Sequence, residues 1–129
     1  MASSELVIAV DFDGTCVEHD YPDVGMDVEG AVDVLKALNA KGHKLILFTM
    51  RSGSKLDAAV RWFKERKIEL WAVNTNPEQK SWTDSVKVHA DLYIDDSAVG
   101  CPLMFIDDAP RPMVNWAKVR ERLEYDRVL

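Results

Sequence analysis

Five apolar residues run without interruption, Leu6-Val7-Ile8-Ala9-Val10, and lead straight into Asp11-Phe12-Asp13-Gly14-Thr15. A continuous apolar run, rather than an alternating one, is the pattern of a strand buried on both faces of a parallel sheet. Two acids directly behind such a strand are costly unless they are used. Side chains two apart in an extended segment point the same way, so Asp11 and Asp13 address one place while Phe12 turns into the core. Gly14 breaks the strand. Gly14 and Thr15 are candidates to offer backbone N–H groups and a hydroxyl to an anion.

The rest of the chain repeats the theme of apolar strand, polar end and helix. Asp27 is placed to cap a helix from Val28 to Ala40, with Val28, Ala31, Val32, Leu35 and Leu38 on one stripe and Gly42 to end it. Leu45-Ile46-Leu47-Phe48 reads as a second buried strand ending at Thr49. Ser54 and Asp57 resemble a capping box opening a helix with Leu56, Ala59, Val60 and Phe63 on its apolar face. Leu70 to Val73 is a third strand, and the polar stretch from Asn74 to Asp84, which holds Pro77, is a loop or distorted helix. Leu92-Tyr93-Ile94 is a fourth strand stopped by Asp95-Asp96. Leu103 to Ile106 is a short fifth, and Met113 to Tyr125 a closing helix. Strands alternating with helices over short connections predict an α/β fold, a mostly parallel sheet with helices on both sides. The length, 129 residues, suits one domain spanning 1–129.

Ligands of such sheets sit beyond the carboxyl ends of the strands. Asp11, Asp13, Thr49, Asp95 and Asp96 all fall there, which predicts one shared site. Carboxylates packed together repel, and a hard divalent cation with oxygen ligands, most naturally Mg²⁺, resolves the conflict. Met50 and Arg51, next after Thr49, are candidates to touch a phosphate or leaving group; for Arg51 and Ser52 a plain surface role is the alternative. Asn74 and Asn76 either line the pocket or cap a loop. Phe105-Ile106-Asp107-Asp108 nearly repeats Tyr93-Ile94-Asp95-Asp96, but it runs into Ala109-Pro110-Arg111-Pro112, the pattern of an exposed turn. The earlier pair is therefore preferred as the ligand pair.

Acids outnumber bases 22 to 16, which argues against broad nucleic-acid binding without excluding one phosphate pocket. Cys16 and Cys101 form no CxxC pair, and His19, His43 and His89 have no zinc-ligand spacing with them. The chain opens without a basic segment, and its first apolar run is too short for a signal core or a membrane span. A cytoplasmic protein is the expectation.

Four pieces in order resemble the haloacid dehalogenase superfamily of phosphohydrolases. Asp11-Phe12-Asp13-Gly14-Thr15 is similar to its first motif, and Leu45 to Thr49 to its second. Lys87, eight residues before Asp95, together with Ala90 to Asp96, resembles its third and fourth motifs combined. The resemblance implies a three-layer α/β/α, Rossmann-like fold. It implies a Mg²⁺-dependent phosphatase in which Asp11 attacks phosphorus and forms an aspartyl-phosphate, while Asp13 acts as general acid and base. It further implies that Asp11, the Asp13 backbone carbonyl, Asp95 and Asp96 hold the metal, and that Thr49 and Lys87 hold the phosphoryl oxygens. Lys80 is the rival of Lys87 for that role.

The space between strands and helices leaves no room for a cap domain, so an open site is expected. It would admit a phosphorylated macromolecule, or a small phosphate closed in by a neighbouring subunit of a homo-oligomer. Two further readings stay open: a phosphotransferase of the same superfamily, and a non-catalytic phosphoacceptor of the receiver type. The latter needs an acid at the end of the third strand, where Val73 leads instead to Asn74. The resemblance fades over residues 97–129.

Overall fold

The computed structural model describes residues 5–129. Four parallel strands form the central sheet: β1 (Val7–Val10), β2 (Lys44–Leu47), β3 (Ala72–Val73) and β4 (Leu92–Ile94), in the order β3-β2-β1-β4. Ile8, Ala9 and Val10 pair with Leu45, Ile46 and Leu47 on one side and with Leu92, Tyr93 and Ile94 on the other. β1 is thus central, as its unbroken apolar run requires, and Ile8, Ala9 and Val10 are all buried.

Helix α1 spans Ala31–Ala40, α2 Gly53–Glu65 and α3 Trp116–Tyr125. All three turn their apolar stripes to one core. Ile8, Val10, Leu45 and Leu47 from alternate strand positions meet Leu35 and Leu38 of α1, Trp62 and Phe63 of α2, and Trp116 and Leu123 of α3. The opposite face carries only a small cluster, Ala9, Ile46, Val88 and Ala90. The helical cover expected on both faces is therefore present on one. Strand order explains it. Going from β1 to β2 to β3 the chain steps in one direction, so right-handed crossovers put α1 and α2 on the same face. The step from β3 back to β4 reverses direction and crosses the other face. That crossover contains only a three-residue 3₁₀ turn, Gln79–Ser81. Buried amide side chains stand in for helix hydrogen bonds there: Gln79 Nε2 donates to the carbonyls of Ser85 and Lys87, Gln79 Oε1 accepts from His89 N–H, and Asn76 Nδ2 donates to the His89 carbonyl.

Several element ends differ from expectation. Helix α1 starts at Ala31, not Val28, behind Gly30, whose φ of +86° only glycine adopts at no steric cost. A side chain at Gly30 would also press on Trp116. Asp27 does not cap α1; it accepts from Nε1 of Trp62 on α2 and from Nε and Nη2 of Arg66, the residue that follows α2. Ser54 and Asp57 lie inside α2, whose N-cap is Ser52. The third strand is shorter than Leu70–Val73. The fifth, β5 (Leu103–Met104), is not part of the parallel sheet but pairs antiparallel with β6 (Met113–Val114). The closing helix accordingly begins only at Trp116, after Asn115, whose side chain accepts from Lys118 N–H as an N-cap. No helix among the described residues is long and apolar enough to cross a membrane.

Trp116 ties this C-terminal unit to the rest. It is fully buried, and its indole Nε1 donates to the Thr15 carbonyl at 2.7 Å. Trp116→Ala is expected to cost about 3–5 kcal/mol, the usual range for truncating a buried large aromatic. Urea denaturation checks this; a loss below about 1 kcal/mol would show that the core closes over the gap.

Candidate active site

The strand ends meet as the alternation of chemistry and hydrophobicity implies. Asp11 N–H donates to the Ile94 carbonyl at 3.0 Å, extending the β1–β4 ladder by one residue. That places Asp11 beside Asp95 and Asp96. One carboxylate oxygen from each of Asp11, Asp95 and Asp96 lies within 4.8 Å of the others. An all-oxygen, all-anionic donor set of this spacing suits a hard divalent cation and suits a soft one poorly.

Burial pushes the Asp11 carboxyl up to about 8; a hydrogen bond with Asp96 and the charge of Asp95 act in the same direction, and the Thr15 hydroxyl pulls it back. Asp95 is raised too, by burial first and then by Asp96, against a hydrogen bond from Ser97 N–H. Three acids held this close cannot all be ionised without a counter-charge.

Thr15 links the cluster internally. Its hydroxyl donates to Asp11 Oδ2 at 3.0 Å and accepts from Asp96 N–H at 3.2 Å. Gly14 N–H donates to the Val17 carbonyl and Thr15 N–H to that of Phe12. The expectation that Gly14 and Thr15 present these groups to an anion is therefore corrected: the tight turn engages them itself, and Thr15 positions Asp11 and Asp96. Gly14 is required for another reason. Its φ is +79°, and a Cβ there would collide with His19 and Asp96.

Arg51 is corrected as well. It is buried, not a surface residue, and no donor remains for a phosphate. Its Nε and Nη2 hold both oxygens of Asp13 at 2.8 Å, Nη1 donates to the carbonyls of Pro22 and Lys55, and Nη2 to that of Asp23. All five N–H bonds of the guanidinium are thus engaged. Arg51 fixes the Asp13 carboxylate and fastens the 20–23 loop over it, stacked between the rings of Phe12 and Tyr21. The Asp13 carboxylate in turn is no member of the acidic triad. Phe12 is fully buried beside Trp62 and Phe63, as expected.

A cleft of about 410 Å³ opens over the triad, lined among others by Asp11, Asp13, Tyr21, Met50, Asp95 and Asp96. Met50 is fully exposed at its rim. Thr49 follows β2 but does not line the cleft; its hydroxyl accepts from Arg51 N–H and its own N–H donates to Asn74 Oδ1. Lys87 does not line it either, nor does Lys80. The geometry is simple: Asp95 and Asp96 follow the carboxyl end of β4, whereas Lys87 precedes its amino end and is exposed. Asp107 and Asp108 sit exposed in the β5–β6 turn, outside the triad. Asn76 caps a loop, donating to His89 and accepting from Glu78 N–H.

Sequence reading missed three cleft residues, His19, Ser97 and Arg111. His19 Nε2 lies 3.0 Å from Asp96 Oδ2, across 77 residues of chain. No local pattern marks it. Arg111 did carry a signal, as a cation between two prolines.

Fold and cleft together define an α/β protein with a carboxylate-lined site at the carboxyl edge of a parallel sheet. No family model matches the chain, and no curated protein matches it. Among solved structures it is similar to a conserved protein from Bacteroides thetaiotaomicron, with 38% identity and a TM-score of 0.78, over 95% of this chain and 93% of that one. The chain belongs to the same family as that conserved protein.

Proposed function

We propose that the protein is a Mg²⁺-dependent phosphatase of the haloacid dehalogenase superfamily, hydrolysing a phosphate monoester through an aspartyl-phosphate on Asp11. The observation that carries this reading is the convergence of Asp11, Asp95 and Asp96 within 4.8 Å, with Asp13 held two residues beyond Asp11. Asp11, Asp95 and Asp96 would hold the metal, which supplies charge neutralisation for the attacking carboxylate and the phosphoryl oxygens. Asp11 attacks phosphorus with one carboxylate oxygen; the P–O bond to the leaving group breaks, and the leaving oxygen takes its proton from Asp13. Asp13 then removes a proton from the water that attacks the acyl phosphate, which returns Asp11 and releases phosphate. Thr15 keeps Asp11 in line. Arg51 holds Asp13 as a carboxylate through both oxygens, so the acid step requires one of those oxygens to leave the fork and carry the proton.

The test is turnover of an aryl phosphate with Mg²⁺ and with EDTA. Hydrolysis that needs the metal supports the reading. Stable phosphorylation without turnover would support a receiver-like phosphoacceptor instead.

Metal binding should depend on pH in a defined way. Without a cation Asp11 holds its proton up to about 8. A metal must displace that proton, so apparent affinity should rise about tenfold per pH unit from 6 to 8 and then level off. Calorimetry in buffers of different ionisation enthalpy should show about one proton released per ion at pH 7. Affinity flat from pH 6 to 8 would contradict a ligand role for Asp11.

A further inference from the structure

The lysine that the resemblance implies for the phosphoryl oxygens does not line the cleft, whose charge calls for a cation. Four carboxylates line it, Asp11, Asp13, Asp95 and Asp96. Arg51 neutralises Asp13, and a divalent ion would leave the other three with a formal charge of about −1 before a phosphate dianion arrives. Lys87 and Lys80 lie outside the cleft. His19 is engaged with Asp96 and Arg51 with Asp13. Arg111 lines the same cleft and makes no ion pair among the described residues.

Arg111 lies in an exposed bend between Pro110 and Pro112, whose rings fix their own φ and narrow the backbone choices of the residue between them. β6 begins directly afterwards and is bolted to the catalytic turn: Val114 N–H donates to the Gly14 carbonyl at 3.0 Å, and Trp116 Nε1 to the Thr15 carbonyl at 2.7 Å. The β5–β6 hairpin thereby brings Arg111 to the cleft from a segment where the family resemblance has ended.

We propose that Arg111 grips the phosphoryl oxygens of the substrate, the role that the resemblance implies for Lys87, and that the β5–β6 hairpin exists to deliver it. The proposal rests on the phosphate-monoester reading of the cleft. A guanidinium fork matches two phosphoryl oxygens at once, which a lysine cannot do.

The experiment is a calorimetric titration of the Mg²⁺-loaded protein with inorganic phosphate, the reaction product, in wild type, Arg111→Gln, Arg111→Lys and Lys87→Ala. Arg111 is exposed and makes no hydrogen bond within the described chain, so its variants should keep the thermal midpoint. Arg111→Gln should weaken phosphate binding roughly 10- to 100-fold, in keeping with the loss of charged hydrogen bonds. Arg111→Lys should recover part of it, Lys87→Ala should change nothing, and Mg²⁺ affinity should not move. Phosphate that binds equally well to wild type and Arg111→Gln, or to neither, overturns the proposal. So does a loss confined to Lys87→Ala. The two readings fail separately. Arg111-dependent phosphate binding with no ester hydrolysed would leave the anion site standing and remove the phosphatase. Metal-dependent turnover indifferent to Arg111→Gln would do the opposite.

Discussion

Asp11→Asn is expected, on the proposed phosphatase chemistry, to lower Mg²⁺-dependent hydrolysis by about 10³-fold or more. The amide is not a nucleophile and is a poorer ligand for a hard cation, so the substitution would remove the proposed covalent step and weaken the proposed metal site. Effects of groups acting as one unit do not add, so further loss from Asp95→Asn in the same background should be small. The fold should not suffer. Asp11 sits half-buried against Asp95 and Asp96, and its carboxyl is pushed up to about 8. The folded state therefore binds a proton more tightly than the unfolded chain does. That contribution to stability is fully present below the ordinary carboxyl value of 3.8 and is lost as pH rises through about 8. Asp11→Asn deletes this dependence. In metal-free buffer at pH 9 the variant should melt at or above the wild-type temperature. An inactive variant that is also unfolded would point to a structural role; an active one would remove Asp11 as the nucleophile.

Asp13→Asn is expected to reduce kcat for an alkyl phosphate by about 10²–10⁴-fold, the usual worth of a positioned acid or base. The effect should depend on the leaving group. An aryl leaving group of low pKa departs without a proton, so its first step should be nearly spared. The second step still needs a base, and phosphorylated Asp11 should accumulate. Acid quench with a radiolabelled aryl phosphate would detect it; equal losses on alkyl and aryl esters with no trapped intermediate would count against Asp13 as the proton carrier. Some stability should also be lost, because the buried Arg51 fork holds both Asp13 oxygens. An amide accepts only one of those bonds well, and an unsatisfied buried donor costs about 1–3 kcal/mol. Rates must therefore be normalised to folded protein.

The Asp13–Arg51 pair also shows where sequence reading reaches its limit. Arg51 follows Thr49 closely enough to look like a substrate contact. Its actual partner lies 38 residues away, and its remaining donors are taken by loop carbonyls that no residue pattern announces. Thr15 is similar. A hydroxyl after a glycine suggested an anion cradle, but the turn engages the backbone donors and directs the hydroxyl to Asp11. Lys87 was placed by its spacing to Asp95, but it precedes the strand that Asp95 follows, and only a connection looping back could have brought it to the carboxyl edge.

What the amino-acid order determined alone was local and periodic. The unbroken run from Leu6 to Val10, the turn at Gly14 and the apolar strands ending in Asp11, Thr49 and Asp95 specify a buried parallel sheet with acids at its carboxyl edge. Backbone sterics and side-chain alternation act between neighbours, and such terms can be read without coordinates. Tertiary structure decided the rest: that the helices cover one face, that Asp27 binds α2 rather than capping α1, that Arg51 belongs to Asp13, and that Arg111 reaches the cleft while Lys87 does not. Each of these is a matter of proximity through space between residues far apart in the chain, and charge pairing depends on that distance and on how buried the pair is.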